Sequence, residues 1–172
     1  IHSIPKFCRP LGNANLEKLL THLDNPQKKL KFIHIAGTNG KGSTAAMTAE
    51  ILKKSDFKTG LFTSPYLEVF NERIRINGEN ITDNDLAEYV TRVKAIMEKN
   101  NALVSEFAFI TAVSFLYFYE KQCDIVVLEV GMGGKLDATN VIDSSLVSVI
   151  CKIGLDHTQY LGLSLIHISE PT

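Results

Sequence analysis

The sequence lacks a surplus of charge of either sign. It carries 18 lysines and arginines against 19 aspartates and glutamates, which gives a formal net charge of -1. A protein without an overall positive field has no general attraction for nucleic acid or for a membrane surface, so we expect neither as a partner. Any phosphate that this protein binds must be held by local geometry.

Cysteines are few and widely spaced. There are three of them, an odd number, and they show neither a disulfide framework nor metal-ligand spacing: Cys8, Cys123 and Cys151. This usage predicts a reducing, cytoplasmic setting.

Long hydrophobic runs are also missing. The longest, Phe107–Tyr119, is interrupted by Thr111 and Ser114 and is shorter than the ~20 residues that a membrane span needs. We interpret it as a buried helix. The chain starts at Ile1 without a charged-then-apolar leader, so the sequence predicts no export signal.

Strand-like and helix-like segments alternate along the chain. Apolar runs typical of strands occupy residues 31–36, 58–63, 124–130 and 146–151. Helical periodicity occupies residues 13–24, 43–54, 82–97 and 105–120, with a loop and a hairpin between 64 and 82. The last two strand runs are almost continuously apolar, as in central parallel strands covered on both faces. The alternation predicts an α/β fold with a doubly wound, mainly parallel sheet.

A glycine-rich loop connects the first predicted strand to a helix. It reads Gly37-Thr38-Asn39-Gly40-Lys41-Gly42-Ser43-Thr44. Glycines let successive backbone N–H groups turn inward around a phosphate, and a helix N-terminus adds free N–H groups and a partial positive charge. Lys41 can reach the β- and γ-phosphates, and Ser43 or Thr44 can ligate Mg²⁺. The spacing differs from the standard P-loop, and the alternative is a tight turn that binds nothing.

Three more polar clusters follow predicted strands, where a doubly wound sheet places its ligands. They are Thr63-Ser64-Pro65, Glu129 with the glycines after it, and Asp156-His157. Glu129 is the only charge in its predicted strand after the first residue, Asp124, and a buried carboxylate is costly unless it is paired or bound to metal. Either Mg²⁺ or an ion pair with a lysine such as Lys135 would stabilise it. The alternative for Asp156-His157 is a solvated turn.

Two further segments have structural interpretations. Residues 137–140 (DATN) read as an Asx turn that organises the loop after the Glu129 strand. Residues 71–75 (NERIR) read as a charged hairpin face.

Five motifs together resemble one known family. GTNGKGS at 37–43, TSPYL at 63–67, FNERIRING at 70–78, EVGMGGKLDATN at 129–140 and GLDHTQYLG at 154–162 occur in the order found in folylpolyglutamate synthases, whose bacterial members often also act as dihydrofolate synthases. The similarity runs from about residue 13 to 162 and covers less than half of the family's usual length. The first motif is shared with the wider group of Mur-type ligases, whereas the third and fourth together are much more specific to the folate branch.

The resemblance implies an activity and its cofactors. ATP phosphorylates the carboxylate of a folate or of dihydropteroate, and the amine of L-glutamate then displaces phosphate to form an amide. The cofactors would be ATP and Mg²⁺, the partners would be these small molecules, and we expect a monomer. Residues 1–162 would belong to the ATP-binding domain.

The resemblance also implies a set of site residues. Lys41 would neutralise the γ-phosphate, Ser64 and Glu129 would bind one magnesium, and Glu129 and His157 would bind a second. The triphosphate would be lined by the glycine loop: Gly37, Thr38, Asn39, Gly40, Lys41, Gly42, Ser43 and Thr44. Arg73 is a weaker candidate for contact with the folate substrate.

Residues 163–172 depart from the family pattern. They read LSLIHISEPT, match nothing in the family and resemble translated adaptor sequence. The family's glutamate-binding domain lies beyond this segment, so we expect that the 172 residues alone do not ligate glutamate.

Three rival interpretations stay open. One is a Mur-type ligase acting on a cell-wall precursor. The second is a nucleotide-binding module without ligase activity, and the third is a fragment too incomplete to hold a fold.

Overall fold

The computed structural model describes residue 4 and residues 12–154. The helices are α1 (Ala14–His22), α2 (Lys41–Lys54), α3 (Asp83–Lys99) and α4 (Glu106–Glu120). The strands are β1 (Phe32–Ala36), β2 (Thr59–Phe62), β3 (Ile74–Ile76), β4 (Glu79–Asn80), β5 (Ile125–Glu129) and β6 (Val147–Ile150). Each segment predicted as a helix or strand is one, with ends shifted by at most two residues. Asp156, His157 and residues 163–172 lie outside the described residues.

The six strands form one sheet in the order β4-β3-β2-β5-β1-β6. β2, β5, β1 and β6 are parallel, and the β3–β4 hairpin adds to β2 in the antiparallel direction. The chain leaves β2 through the hairpin, α3 and α4 before it returns as β5 between β2 and β1. The predicted mainly parallel sheet is confirmed, and the parallel strands all end at one edge.

Helices cover both faces of the sheet, which confirms the doubly wound architecture. On one face α4 is buried almost all round, and its Phe115 contacts Phe32 of β1 edge-to-face at 5.5 Å. Phe118 packs so closely on β2 that a Cβ on Gly60 would lie 2.9 Å from its ring. On the other face α2 packs through Ala45 and Ala49. Among the described residues, none of the helices combines the length and hydropathy needed to cross a membrane.

The prediction that the last strand is central and covered on both faces is wrong for the described part of the chain. Among the strands of residues 12–154, β6 is the outermost and pairs with β1 alone. Val147 is 51% exposed and Ile150 is 45% exposed. An apolar run indicates that a strand can be buried. The position of that strand in the sheet, however, depends on its pairing with distant segments.

Candidate functional site

Loop 37–40 leaves β1 in a conformation that requires glycine. Gly37 and Gly40 have φ angles of +134° and +86°, which residues with a Cβ rarely adopt. Gly37 also lies so close to Cys151 that an added Cβ would sit 2.9 Å from the Cys151 Cβ. The backbone therefore turns sharply at the carboxyl end of β1.

The segment after β6 holds this loop in place. The N–H groups of Thr38 and Asn39 donate to the Lys152 carbonyl at 2.9 and 3.2 Å. The Thr38 hydroxyl donates to the Gly154 carbonyl and accepts from the Gly154 N–H, both at 3.0 Å. The Thr38 side chain, expected to line a triphosphate, thus also fastens the loop to the chain beyond β6.

Helix α2 begins at Lys41, two residues before the predicted start, because Gly40 adopts the left-handed conformation at the N-cap. No side chain of the described residues caps this helix. In its first hydrogen bond, the Thr44 N–H donates to the Gly40 carbonyl at 3.0 Å. The N–H groups of the first turn have no intrahelical acceptor. They form, together with the helix dipole, a site suited to an anion.

Three polar side chains lie in this first turn. Lys41 Nζ donates to the Thr38 carbonyl at 3.3 Å, so its charge is held over the loop. Ser43 is exposed, and the Thr44 hydroxyl oxygen lies 3.4 Å from the Cys151 sulfur. The cation and the two hydroxyls are therefore at the end of the helix where an anion would bind.

Glu129 ends β5 and faces this helix terminus. Its side chain is 3% exposed, and Oε2 accepts a hydrogen bond from the Ser64 N–H at 3.0 Å. A Cβ built on Gly42 would lie 3.6 and 3.7 Å from the two carboxylate oxygens. The ends of β2 and β5 and the first turn of α2 thus converge, and Ser64, Glu129 and Gly42 are neighbours.

The surroundings of Glu129 disfavour the ionised form of its carboxyl. Burial raises the pKa of its carboxyl above the ordinary value, and the neighbouring Asp137 raises it further, whereas the Ser64 N–H and the positive charge of Lys41 lower it. Among the described residues, the positive charge of Lys41 favours the ionised form of Glu129, whereas the lysine that the sequence analysis gave as an example for this role was Lys135. A carboxylate in this setting would gain from a further cation.

The predicted Asx turn is present after β5. Asp137 Oδ1 accepts from the Thr139 N–H at 2.9 Å and from the Thr139 hydroxyl at 2.6 Å, and Oδ2 accepts from the Met132 N–H at 2.8 Å. Sequence analysis missed the partner behind it: His34 Nε2 lies 2.9 Å from the Thr139 hydroxyl oxygen. His34 belongs to β1, 105 residues away, so no local pattern signalled the contact.

Arg73 lies beside a pair of aromatic rings, Tyr66 and Phe70, whose centres are 5.7 Å apart. The guanidinium carbon is 5.3 Å from the Tyr66 ring centre and 5.4 Å from that of Phe70, and Nε is buried without a hydrogen-bond partner among the described residues. Burial lowers the pKa of Arg73, and the negative charge of Glu106 counteracts that effect.

Glu72, its neighbour, has a role that sequence analysis did not identify. The carboxylate accepts the N–H groups of Leu67, Glu68 and Val69 at 2.8 to 3.0 Å. The segment read as a charged hairpin face therefore also closes the loop after Ser64.

The described residues include part of the predicted metal set. Ser64 and Glu129 are adjacent, whereas His157 lies outside the described residues. Within residues 12–154, no group of three or more His, Cys, Asp or Glu side chains is placed to hold a metal ion. The part of the predicted set that is described thus consists of one carboxylate and one serine.

Comparison with known proteins agrees with the resemblance. Residues 35–164 match the model of the Mur ligase middle domain. Folylpolyglutamate synthase of Lacticaseibacillus casei is 42% identical over 99% of this chain and 41% of its own length. Dihydrofolate synthase/folylpolyglutamate synthase of Bacillus subtilis is 40% identical over 98% of this chain and 40% of its own.

A solved structure, an FPGS–AMPPCP–folate complex, superimposes with a TM-score of 0.90 at 41% identity, over 96% of this chain and 42% of that one. This chain thus spans about two fifths of the length of its relatives. It belongs, through residues 35–164, to the family of the Mur ligase middle domain, and the members it resembles are folylpolyglutamate and dihydrofolate synthases.

Proposed function

We propose that this chain is the ATP-binding part of a ligase that joins L-glutamate to a folate, to dihydropteroate, or to both. The observation that carries the proposal is the meeting of the uncapped N-terminus of α2 with the buried carboxylate of Glu129. A site with free N–H groups, a lysine and a shielded carboxylate suits a nucleotide triphosphate with its magnesium. The relatives include a complex with an ATP analogue and folate.

The reaction divides into two displacements. A carboxylate oxygen of the acyl substrate attacks the γ-phosphorus of ATP, the bond to the bridging oxygen breaks, and ADP leaves. The glutamate amine then attacks the acyl carbon and loses a proton, and phosphate leaves as the amide forms. Phosphorylation is needed because a carboxylate would otherwise have to expel oxide.

The glycine loop and Lys41 act in the first displacement, the phosphoryl transfer. The glycine loop, residues 37–44, surrounds the phosphates with N–H groups, and Lys41 neutralises the negative charge that moves toward the leaving ADP. Its Nζ already lies over the loop at Thr38.

Glu129 and Ser64 fit a magnesium ion. The buried carboxylate has a raised pKa and lies next to the serine, so a cation there would offset its cost of burial. Mg²⁺, when bound, shields the charge of the triphosphate. His157 would complete a second magnesium site with Glu129, on the strength of the family pattern.

Arg73 is the proposed contact on the acyl-substrate side. Its planar cation lies within cation–π distance of both Tyr66 and Phe70, and its Nε is a donor without an acceptor among the described residues. Such a group suits a planar or anionic substrate.

The test has two parts. First, the chain is titrated with AMPPCP by calorimetry, with Mg²⁺ and then with excess EDTA; we expect saturable binding that weakens strongly without magnesium. Second, the product of the complete reading frame is incubated with ATP, glutamate and either folate or dihydropteroate, and ADP and the glutamylated product are quantified.

The outcomes separate the alternatives. Product formation that requires glutamate supports the ligase. Nucleotide binding without any response to folate, dihydropteroate or glutamate would leave a ligase of a cell-wall precursor or a nucleotide-binding module. No binding of AMPPCP at millimolar concentration would overturn the assignment of the site.

A further inference from the structure

We infer that His34 and Thr139 are positioning residues: a buried hydrogen-bond relay through them orients Asp137, which in turn closes loop 131–134 beside Glu129. The inference about the loop's geometry rests on contacts alone, and its relevance to ligation rests on the proposed function. The relay joins β1, which leads into the phosphate loop, to the loop that follows β5.

The direction of the hydrogen bonds follows from counting protons. The Thr139 hydroxyl has a single hydrogen and two polar neighbours, Asp137 Oδ1 at 2.6 Å and His34 Nε2 at 2.9 Å. Burial raises the pKa of Asp137, but hydrogen-bond donors meet both of its oxygens and favour the ionised carboxylate, which can only accept. The hydroxyl therefore donates to Asp137 and accepts from His34, and the His34 ring must carry its hydrogen on Nε2.

Burial makes this arrangement specific. His34 is 2% exposed and Thr139 is fully buried, so water does not replace a lost partner. An unsatisfied buried donor is costly, and hydrogen bonds to a charged group are stronger than neutral ones. Each member of the relay thus restricts the next to one orientation.

The far end of the relay is the glycine loop after β5. Asp137 Oδ2 accepts a hydrogen bond from the Met132 N–H at 2.8 Å. A Cβ added to Gly131 would lie 3.1 Å from that oxygen and 2.5 Å from the Phe107 ring. The loop is therefore clamped between the carboxylate and the first turn of α4. Asp137 also acts on the Glu129 carboxyl through its charge, so its placement matters for the proposed metal ligand.

The test uses Thr139→Val, which keeps the shape and removes the hydroxyl, with Thr139→Ser as the variant that restores it. Thr59→Val is the matched control: Thr59 is 1% exposed, and its hydroxyl donates only to the nearby Phe57 carbonyl at 3.1 Å. His34→Leu is a second variant that breaks the relay one step earlier.

The primary readout is hydrogen exchange of the Met132 amide in the isotopically labelled chain, without any nucleotide. We expect exchange about tenfold faster or more in Thr139→Val than in Thr59→Val, since one hydrogen bond to a charged group is lost. Thr139→Ser should restore the wild-type rate. Equal rates in Thr139→Val and Thr59→Val would overturn the inference. Should Thr139→Val not fold, the same comparison is made with His34→Leu.

Histidine side-chain nitrogen spectra give a second, independent readout. The wild-type chain should show His34 protonated at Nε2 and not at Nδ1, and this signal should shift in Thr139→Val but not in Thr59→Val. A wild-type ring protonated at Nδ1 alone would mean that Thr139 donates to His34, and the relay would be refuted. Both readouts are unaffected if the chain binds no nucleotide, so failure of the relay and failure of the proposed function are distinguishable.

Discussion

At the scale of single residues, the site is defined by two opposite charges with unequal surroundings. Lys41 is half-buried and lies over the loop at Thr38, whereas Glu129 is nearly inaccessible and accepts one N–H from Ser64. The lysine can meet a phosphate from solvent without being desolvated first. The glutamate already bears the cost of burial, which a metal ion would offset.

Replacing Lys41 with methionine should weaken binding of magnesium AMPPCP by about 10- to 100-fold. The change keeps most of the length of the unbranched side chain and removes a charge-assisted hydrogen bond of about 1.5–3 kcal/mol. Calorimetric titration measures the difference. Lys54→Met, at the exposed far end of the same helix, should bind the nucleotide like the wild type; an equal loss in both variants would indicate a general effect of helix charge.

Replacing Glu129 with glutamine should raise the melting temperature of the metal-free chain at pH 7. Because burial raises the pKa of the folded-state carboxyl, the ionised form destabilises the fold once the pH exceeds the ordinary value of 4.5. At low pH the carboxyl is neutral and does not destabilise the fold. The free energy of unfolding then falls as the pH rises from the ordinary pKa through the folded-state pKa and the buried carboxyl ionises. Glutamine stays neutral and can still accept the Ser64 N–H.

The same variant should lose the magnesium dependence of AMPPCP binding. Glu88→Gln, a change on the exposed face of α3, serves as the control for both measurements. A Glu129→Gln variant that melts below the wild type at pH 7 and keeps its magnesium response would contradict the assigned role.

At the scale of elements, two helix N-termini show opposite solutions to the same problem. Helix α3 is capped by Thr82, whose hydroxyl accepts the Asp85 N–H at 3.1 Å, as an N-cap threonine commonly does. Helix α2, which follows Gly40 as its N-cap, has no side-chain cap from the described residues. One N–H group of the first turn of α3 is thus satisfied by a side chain, whereas no described side chain takes this place in α2.

Thr82→Ala should therefore lower the free energy of unfolding by about 1 kcal/mol, the usual cost of removing a helix cap. Urea denaturation measures the change, and Thr82→Ser, which retains the hydroxyl, should stay close to the wild type. Nucleotide binding should be unchanged in both variants, since α3 lies on the opposite face of the sheet from α2. A loss as large in Thr82→Ser would show that packing of the threonine methyl group, rather than capping, stabilises this end.

At the scale of the whole molecule, the two faces of the sheet are unequal. The face under α1, α3 and α4 holds a large core with five fully buried phenylalanines, Phe32, Phe62, Phe109, Phe115 and Phe118. The face under α2 holds a small cluster centred on Ile35, Ala45 and Val127. Most of the burial that stabilises the fold thus lies on the side away from the phosphate loop.

Global stability should depend on pH through His34. Burial lowers its pKa from the ordinary 6.5 to about 4, so the unfolded chain binds a proton more readily than the folded chain between these values. The free energy of unfolding should rise with pH from about 4 to about 6.5, by roughly 3 kcal/mol from this group alone. Denaturation series at several pH values measure the slope.

His34→Leu supplies the comparison. It should lose that part of the pH dependence, although it is less stable than the wild type at neutral pH because Thr139 loses its partner. An unchanged slope between pH 4 and 6.5 in this variant would show that other groups cause the acid sensitivity.

Local sequence determined much of this protein. Period and composition located the four helices, the parallel strands and the hairpin, because these depend on neighbours within a few residues. The glycine pattern located the loop at 37–44, since only glycine tolerates the backbone angles at Gly37 and Gly40. Likewise Glu129 was conspicuous as the single charge in an apolar strand.

Tertiary structure alone decided what depends on distant pairing. It placed β6 at the edge of the described sheet, fastened Thr38 to Gly154, and set His34 behind Thr139 and Asp137. These partners are separated by more than a hundred residues, and hydrogen-bond complementarity across such distances leaves no periodic trace in the chain. The sequence therefore determined which segments are helices and strands, because that depends on nearby residues. Only the tertiary structure decided that the ends of β2 and β5 meet the first turn of α2 to form a site.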